Sequence, residues 1–516
     1  MSCLGIMSST RRISREQLSM FSLECHIAAD NPVRVIDLFV DRLDLQVLGF
    51  TKVKAKSEGR PPYEAKDMLK IFYYGYLNRI RSARKLEAEC IRNVELWWLV
   101  HQQTPAYHTI ADFRKDNPKA FKKAFKMFIG FLRGEDMFGS ELIAVDGTKL
   151  RAQNNKKNTF NDEKLVKSLA YIDTKAEEYI KELEEYDARE DKEAAELEKK
   201  DVLKNIEKLN ERKKDYSALQ DKLKESGEKQ ISLVDEDSRS LPIKDGITDV
   251  CFNVQAVGES KHGLIVTFDT VNTTDQGQLN VMAGKAMEAL GVGEITLLAD
   301  KGYHTGKDLN KCKENNITTL VAYPERTNKN IDPAYWTDKF IYNAQEDNYT
   351  CPAGAVLKSD GKEYEKTKKG RSAYFVKKYE TATCLSCPLR GLCTKSKKKQ
   401  RVIERSEYQD VVDENNRRVD DNPQVYKTRQ QINEHPFGTV KRGWGYTYTL
   451  LKGLPKVDGE MAIIFTMYNL RRVMSILGIK GVIERLNQWE TAQKGQKRGI
   501  IKYPRLYKLY RVQEAA

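Results

Sequence analysis

The chain has 516 residues, 40% of them hydrophobic and 31% charged, with a formal charge of +14 and a pI near 9.0. That length provides for about two to four domains with sizeable cores. No long uncharged apolar run is present, so a membrane-spanning chain is not expected. The N-terminus has no apolar core after its basic residues, so no signal peptide is read and the cytoplasm is the expected compartment. The positive surplus favours a polyanionic partner.

Residues 1–30 are weakly patterned, with a short helix expected around Glu16–Leu23. Val33, Ile36, Leu38, Phe39, Leu43 and Leu45 predict a helix from Pro32. After the basic, turn-rich stretch Lys52–Pro62, helices are expected over Glu64–Asn78, Ala83–Ile91 and Val94–Val100. Another opens at Tyr107 with Thr109 as its N-cap, and Phe121–Phe138 follows. Short basic helices of this kind suit a helix-turn-helix-like DNA-binding domain or a bundle packed on the rest, and pattern alone leaves both open. Residues 1–138 are therefore expected to form an N-terminal α-helical domain, the candidate for DNA binding.

Two short apolar strands each end in an acid. Glu141–Val145 leads to Asp146, and Ile295–Ala299, read as buried on both faces, leads to Asp300. In open α/β sheets, functional groups gather at the carboxyl ends of strands. One such acid is only half of a metal site, and two in one chain are much less easily accidental.

Between them, residues 161–226 contain no Gly and no Pro. Leu165, Leu169, Ile172, Ala176, Tyr179, Leu183 and Tyr186 alternate spacings of four and three, the pattern of a coiled-coil seam. The pattern lapses over Asp187–Glu193 and then resumes, which predicts an antiparallel helical hairpin. Next come strands Val250–Val257 and His262–Val271, the latter expected to be central, and the helix Gln278–Leu290. The Asp300 strand, a helix Asp308–Asn315 and a strand Thr318–Tyr323 complete the run. Three β elements before a helix, then strand–helix–strand, is the wiring of a ribonuclease-H-like mixed sheet, here over 139–324 and 424–480 with the hairpin inserted.

Residues 325–423 form a polar insertion containing Cys351, Cys384, Cys387 and Cys393. Cys384 and Cys387 have knuckle spacing, and the other two can complete a tetrahedral structural zinc site. The remaining five cysteines are scattered and read as ordinary reduced thiols.

Gln424–Trp444 predicts a helix with Tyr426, Arg429, Ile432/Asn433 and Phe437 about one turn apart, bent or interrupted at Pro436 and Gly438. Glu434 on this helix can join the two aspartates to hold two divalent ions ~4 Å apart for in-line phosphoryl transfer. Arg429 and Lys441 can then grip phosphates. On this helix alone, a plain surface pairing of Glu434 with Arg429 or Lys441 is the simpler reading.

Taken together, Asp146, Asp300 and Glu434 with Tyr426, Arg429 and Lys441 resemble a DDE transposase of a bacterial insertion sequence. Val145-Asp-Gly-Thr-Lys-Leu150, Asp300-Lys-Gly-Tyr-His304, Glu434-His-Pro-Phe-Gly-Thr-Val-Lys-Arg442, the four-cysteine segment and Tyr468-Asn-Leu-Arg-Arg472 resemble the insertion-sequence family numbered 1182, across Asn31 to Leu477. The resemblance implies an α/β, ribonuclease-H-like catalytic core and two Mg²⁺ (or Mn²⁺) ions held by Asp146, Asp300 and Glu434. It also implies DNA-phosphate contacts from Tyr426, Arg429 and Lys441. Its implied partners are double-stranded DNA, as terminal inverted repeats and target, and a second copy in a homodimer or larger synaptic assembly at the bacterial nucleoid. One spacing departs from related transposases: four residues rather than three separate Arg429 from Glu434. Two rival readings are a catalytically silent DNA-binding protein derived from a transposase and a metal-dependent repair nuclease. The basic tail 481–516, with rings interleaved over Lys497–Arg511, suits a nucleic-acid contact or a segment folded on the core.

Overall fold

In the computed structural model, which describes residues 22–51, 63–187, 192–244, 246–324, 331–367, 373–396 and 400–496, helices come first. They are α1 (Pro32–Arg42), α2 (Leu45–Leu48), α3 (Ala65–Leu77), α4 (Ala83–Arg92), α5 (Val94–Leu99), α6 (Tyr107–Asp116) and α7 (Pro118–Gly134). Lys52–Pro62, the interleaved tail Lys497–Arg511 and nearly all of the helix expected at Glu16–Leu23 lie outside the described residues. Asn31 caps α1 by accepting from the Val33 N–H, and Pro32 occupies the first turn where its missing donor costs nothing. Helix α6 starts at Tyr107 with no side-chain cap, so Thr109 lies inside it and is not the N-cap expected. Helix α3 is buried on nearly every side, which marks it as a core helix of a larger body. The seven helices in fact share one hydrophobic core with the sheet: Phe125 meets Phe268 edge-on at 4.9 Å, and Arg81 pairs with Glu460 at 3.2 Å in the interior.

The chain then enters β1 (Leu142–Arg151), a short β2 (Thr159–Phe160), and the long helices α8 (Asp162–Asp187) and α9 (Lys192–Ser226). Asp173 pairs with Lys213, Asp162 with Gln220, and Leu165 packs beside Leu219 and Leu223, so α8 and α9 run antiparallel. The hairpin closes on β3 (Ile231–Ser232), which pairs with β2. There follow β4 (Arg239–Lys244), β5 (Ile247–Glu259), β6 (Ile265–Val271), α10 (Leu279–Leu290), β7 (Ile295–Ala299), α11 (Gly306–Glu314) and β8 (Ile317–Val321).

These strands make one curled mixed sheet. Reading across, β6 and β5 are antiparallel, β5 and β1 antiparallel, and β1, β7 and β8 parallel; β4 extends the β6 side of β5. Core residues from α10 cover one face with Ile143, Val145 and Leu297, while Ala144, Leu298 and Leu320 pack under Ile432 on the other. Strand β6 is an edge strand, not the central one expected from its apolar run. Its apolar character is explained by a helix, α15 (Leu454–Gln496, broken at Gly478), that lies along it. Asn469 of α15, fully buried, donates to the Ile265 carbonyl at 2.8 Å and accepts from the Ile265 N–H at 2.9 Å. The opposite edge has the same device: buried Asn415 closes the Val321 N–H and carbonyl of β8. Both exposed ladders are thus capped by one asparagine each, which removes a template for strand addition. By length and composition alone α15 could cross a membrane, contrary to the sequence expectation, but Met461–Leu470 is buried against β6 and α7 as a core helix is.

The polar insertion is a second sheet, which the sequence pattern did not predict: β9 (Ile341–Asn343), β10 (Asn348–Thr350), β11 (Val356–Lys366), β12 (Tyr374–Glu380), a short α12 (Arg390–Cys393) and β13 (Ile403–Ser406), all antiparallel. Helix α13 (Gln409–Asp421) lies within the stretch read as insertion yet packs on β8 through Asn415. Helix α14 (Pro423–Gly438) then crosses the sheet.

Candidate active site

Strand register places the two aspartates. Ala144 of β1 pairs with Leu298 of β7 in the parallel ladder, so two residues further on Asp146 and Asp300 stand side by side. Asp300 follows the end of β7 as expected, but Asp146 lies in the middle of β1, which continues to Arg151 against β5 rather than ending at the acid. Gly147 N–H donates to Asp146 Oδ1 at 2.8 Å, and Gly302 N–H donates to Asp300 Oδ1 at 2.8 Å. Burial, then the Asp300 charge, raise the Asp146 carboxyl to about 6, against a smaller pull from Arg429 in the other direction. Two acids this close resist simultaneous ionisation, and a cation between them removes the conflict.

Helix α14 lies over this corner and brings the three expected basic and phenolic groups to it. Tyr426 donates its hydroxyl to the Ala299 carbonyl at 3.3 Å, beside Asp300. Arg429 approaches Asp146 Oδ2 at 4.0 Å. Lys441 reaches Thr148 Oγ1 at 3.1 Å and the Lys149 carbonyl at 3.2 Å, and burial holds its ammonium below the usual lysine range. The helix is not interrupted at Pro436; it continues to Gly438 and then widens into a π turn over Thr439–Gly443, which carries Lys441 back to β1. Close approach is enabled by Gly258 of β5, where an added Cβ would stand 2.8 Å from Ile432 Cγ2.

Glu434 is on the same helix but is exposed, and it is paired with neither Arg429 nor Lys441. At about 100° per residue, Tyr426, Arg429, Asn433 and Pro436 share the sheet-facing side. Asn433 is buried there, with its Nδ2 lacking a partner. Glu434 is turned one residue away, so the extra residue after Arg429 puts an amide where the shorter spacing puts the acid. Its neighbour His435 bonds Tyr468, which itself donates to Gly263 in the turn between β5 and β6. The structure therefore brings Asp146 and Asp300 together but leaves Glu434, the third expected acid, exposed and outside the pair.

A third acid at this corner had no sequence signal. Asp275, in the loop after β6, accepts from Asn253 Nδ2 at 2.9 Å and Gln255 Nε2 at 2.8 Å, and pairs with Lys149 at 2.9 Å. Burial alone would raise its carboxyl, but the Asn253 bond, Lys149 and Gln255 outweigh it and hold the carboxyl below the ordinary range. Tyr303 extends the network by donating to Gln255. These groups lie directly behind the glycines that follow the two aspartates: an added Cβ on Gly147 would meet Asp275 Oδ1 at 2.3 Å, Gln255 Nε2 at 2.5 Å and Asn253 Oδ1 at 2.9 Å. The Asn253 Oδ1 is buried and unpartnered. Asn253 and Gln255 share one face of β5, but Asp275 in a loop and Lys149 on β1 have no sequence period in common with them, so only the fold assembles the set.

Among the described residues, no three His, Cys, Asp or Glu side chains are arranged to hold a metal ion. The acid pair and the orphaned Asn253 oxygen still suit a divalent cation in charge and donor type. The four thiols of the insertion also come near one another, since Cys351, Cys384 and Cys387 all act on the Cys393 thiol. Cys351 Sγ accepts from the Ala355 N–H at 3.2 Å, the bond a turn of this kind offers a thiolate.

Residues 350–474 match the Transposase DDE domain family, and residues 21–116 match the Transposase domain (DUF772) family. Both matches are to transposase domains. The first spans the insertion from β10 onward, α13, α14 and half of α15, and the second spans α1 to α6, so the helical region and the core helices each match independently. Asp146 and Asp300 lie outside both matched stretches. A solved structure, the cryo-EM structure of piggyBac transposase synaptic complex with hairpin DNA, aligns over 94% of this chain and 85% of that one, with 8% identity and a TM-score of 0.30.

Proposed function

We propose that the chain is a DDE transposase of a bacterial insertion sequence, which binds the element's terminal inverted repeats, cuts DNA at its ends and joins them to target DNA. The observation that carries this is the placement of Asp146 and Asp300 side by side beneath α14, in a chain whose α14 falls within a matched transposase DDE domain. The strand order supports a ribonuclease-H-like core, since three antiparallel strands followed by two parallel ones place those acids on adjacent central strands.

Asp146, Asp300 and Glu434 would hold two Mg²⁺ or Mn²⁺ ions. Bound there, the ions supply an activated oxygen nucleophile and stabilise the leaving oxygen. Glu434 completes the set by swinging from its exposed flank of α14 toward the aspartates. Arg429 then gives up Asp146 and, with Lys441 and Tyr426, orients the phosphate next to the scissile bond. The Asp275–Asn253–Gln255 network keeps the backbone at Gly147 and Gly302 fixed while those charges rearrange. In the insertion, Cys351, Cys384, Cys387 and Cys393 bind one structural zinc ion. The assembly on DNA is a homodimer or larger synaptic complex at the nucleoid.

Mn²⁺ binding to the full-length chain, followed by loss of the free-ion electron paramagnetic resonance signal, tests the site directly. Binding by the wild type that Asp146→Asn and Asp300→Asn remove is the expected result. Equal binding by all three proteins would refute the metal assignment.

A further inference from the structure

Charge is concentrated in one part of this chain. Between Cys351 and Arg401 there are fourteen Lys and Arg against four Asp and Glu, a net +10 in 51 residues, while all 516 residues together carry +14. Surplus of that density repels itself unless an anion accompanies it.

The described part of this segment is the β11–β12 ribbon and its flanks. Lys358, Lys362 and Lys395 are exposed and Lys378 is half-buried; none of the four has an ion-pair partner among the described residues. Lys366 and Lys377 are the contrast, paired with Glu404 at 2.8 Å and Asp347 at 3.2 Å. Rings are interleaved with these lysines. Lys378 Nζ lies 3.9 Å from the centre of the Tyr364 ring, Tyr374 is half-exposed, and Phe375 is 44% exposed. The ladder is irregular between Ser359 and Glu363, with Gly361 at φ 76°, so the ribbon bends at Lys362. Beyond the bend, β11 pairs with β12, and β12 is flanked in turn by β13 at Val376–Tyr379.

Lysines on an edge strand also discourage unwanted strand pairing. That purpose needs charge on the edge alone, whereas Lys378 lies on an inner strand and Lys395 lies beyond α12. Unpaired point charges with intervening rings suit a phosphate backbone, the one feature that every duplex presents. We infer that the β11–β12 ribbon is a docking surface for the phosphate backbone of double-stranded DNA, distinct from the acid corner and from the N-terminal helices. The inference rests on the reading of the chain as a DNA-acting enzyme and assigns part of that DNA to the insertion.

The test uses the full-length chain and a fluorescent duplex of arbitrary sequence, with anisotropy measured across a series of salt concentrations. A variant carrying Lys358→Ala, Lys362→Ala and Lys378→Ala is expected to bind at least about 10-fold more weakly. Its slope of log affinity on log salt should fall by roughly 2 to 3, at about 0.9 per lost phosphate contact. A variant carrying Lys204→Ala, Lys208→Ala and Lys214→Ala on α9 removes the same charge from a different exposed surface, serves as the parallel control and should bind like the wild type. Unchanged affinity and slope in the lysine variant would overturn the inference. So would lysine-dependent binding to anionic phosphatidylserine vesicles with DNA binding intact. Failure of the wild type to bind any duplex would overturn the DNA-acting reading and the inference with it.

Discussion

At the acid corner, each group is fixed by strand register and by a core that runs through both the sheet and the N-terminal helices. Among the described residues, the β9–β13 sheet's own cluster buries Phe340, Tyr349, Leu357, Tyr379 and Ile403. The corner can therefore hold like charges close together against their repulsion, because the surrounding packing resists their separation. The insertion has too little apolar surface to do the same and relies on polar links, such as Arg405 with Asp410 and Asp413, and on its four thiols. One region stores electrostatic conflict, and under the proposed zinc assignment the other would hold its shape through a bound ion.

Several changes would sharpen or break that contrast. The largest effect is expected from Glu434→Gln, which should lower DNA cleavage by about 10²- to 10³-fold. Because Glu434 is exposed, thermal stability should stay within about 0.5 kcal/mol of the wild type. A cleavage rate within a few-fold of normal would remove Glu434 from the site.

Zinc comes next. Metal analysis should find about one zinc per chain, and Cys384→Ser or a chelator should release it. Limited proteolysis should then cut within residues 331–407 while the acid corner stays protected. A zinc-free protein with a protease-resistant insertion would contradict this account.

Gly147→Ala tests the corner's packing. Its Cβ would meet three polar atoms within 3.0 Å, so a loss of roughly 1–3 kcal/mol in denaturant unfolding is expected. The smallest effect concerns pH. The Asp146 carboxyl is raised to about 6 in the fold, so its contribution to stability is complete below the unfolded value near 3.8 and is lost as pH rises through 6. Asp146→Asn should therefore be more stable than the wild type at pH 8, by on the order of 1–2 kcal/mol, with the gap closing toward pH 4. Metal binding by the wild type should weaken as pH falls through 6, when the carboxylate takes up its proton.

Much of the sheet could be read from the sequence because its strands contain apolar runs. Asp300 was visible because its run stops at the acid, and Asp146 because an acid follows a similar run, although β1 continues past it. Helical spacing showed Tyr426 and Arg429 near one face, whereas Lys441 is brought to β1 by a π turn that helical spacing does not show. The edge position of β6 was hidden, since a strand covered by a long helix is as apolar as a central one. The β9–β13 sheet was hidden by its composition: its strands bury a few scattered residues among many lysines and glutamates, so no sustained apolar alternation shows. Asp275 was invisible because its partners come from β1 and β5, more than a hundred residues from Asp275 in the case of Lys149 and about twenty for Asn253 and Gln255.

The most direct test of the central claim uses linear DNA carrying the sequences that flank the gene. It is incubated with Mg²⁺ and either wild-type protein or Asp300→Asn, and the products are sequenced at single-nucleotide resolution. Cuts at the element boundary that disappear in the variant are the predicted result. Binding to the ends with no metal-dependent cutting, or cuts that persist in Asp300→Asn, would contradict it.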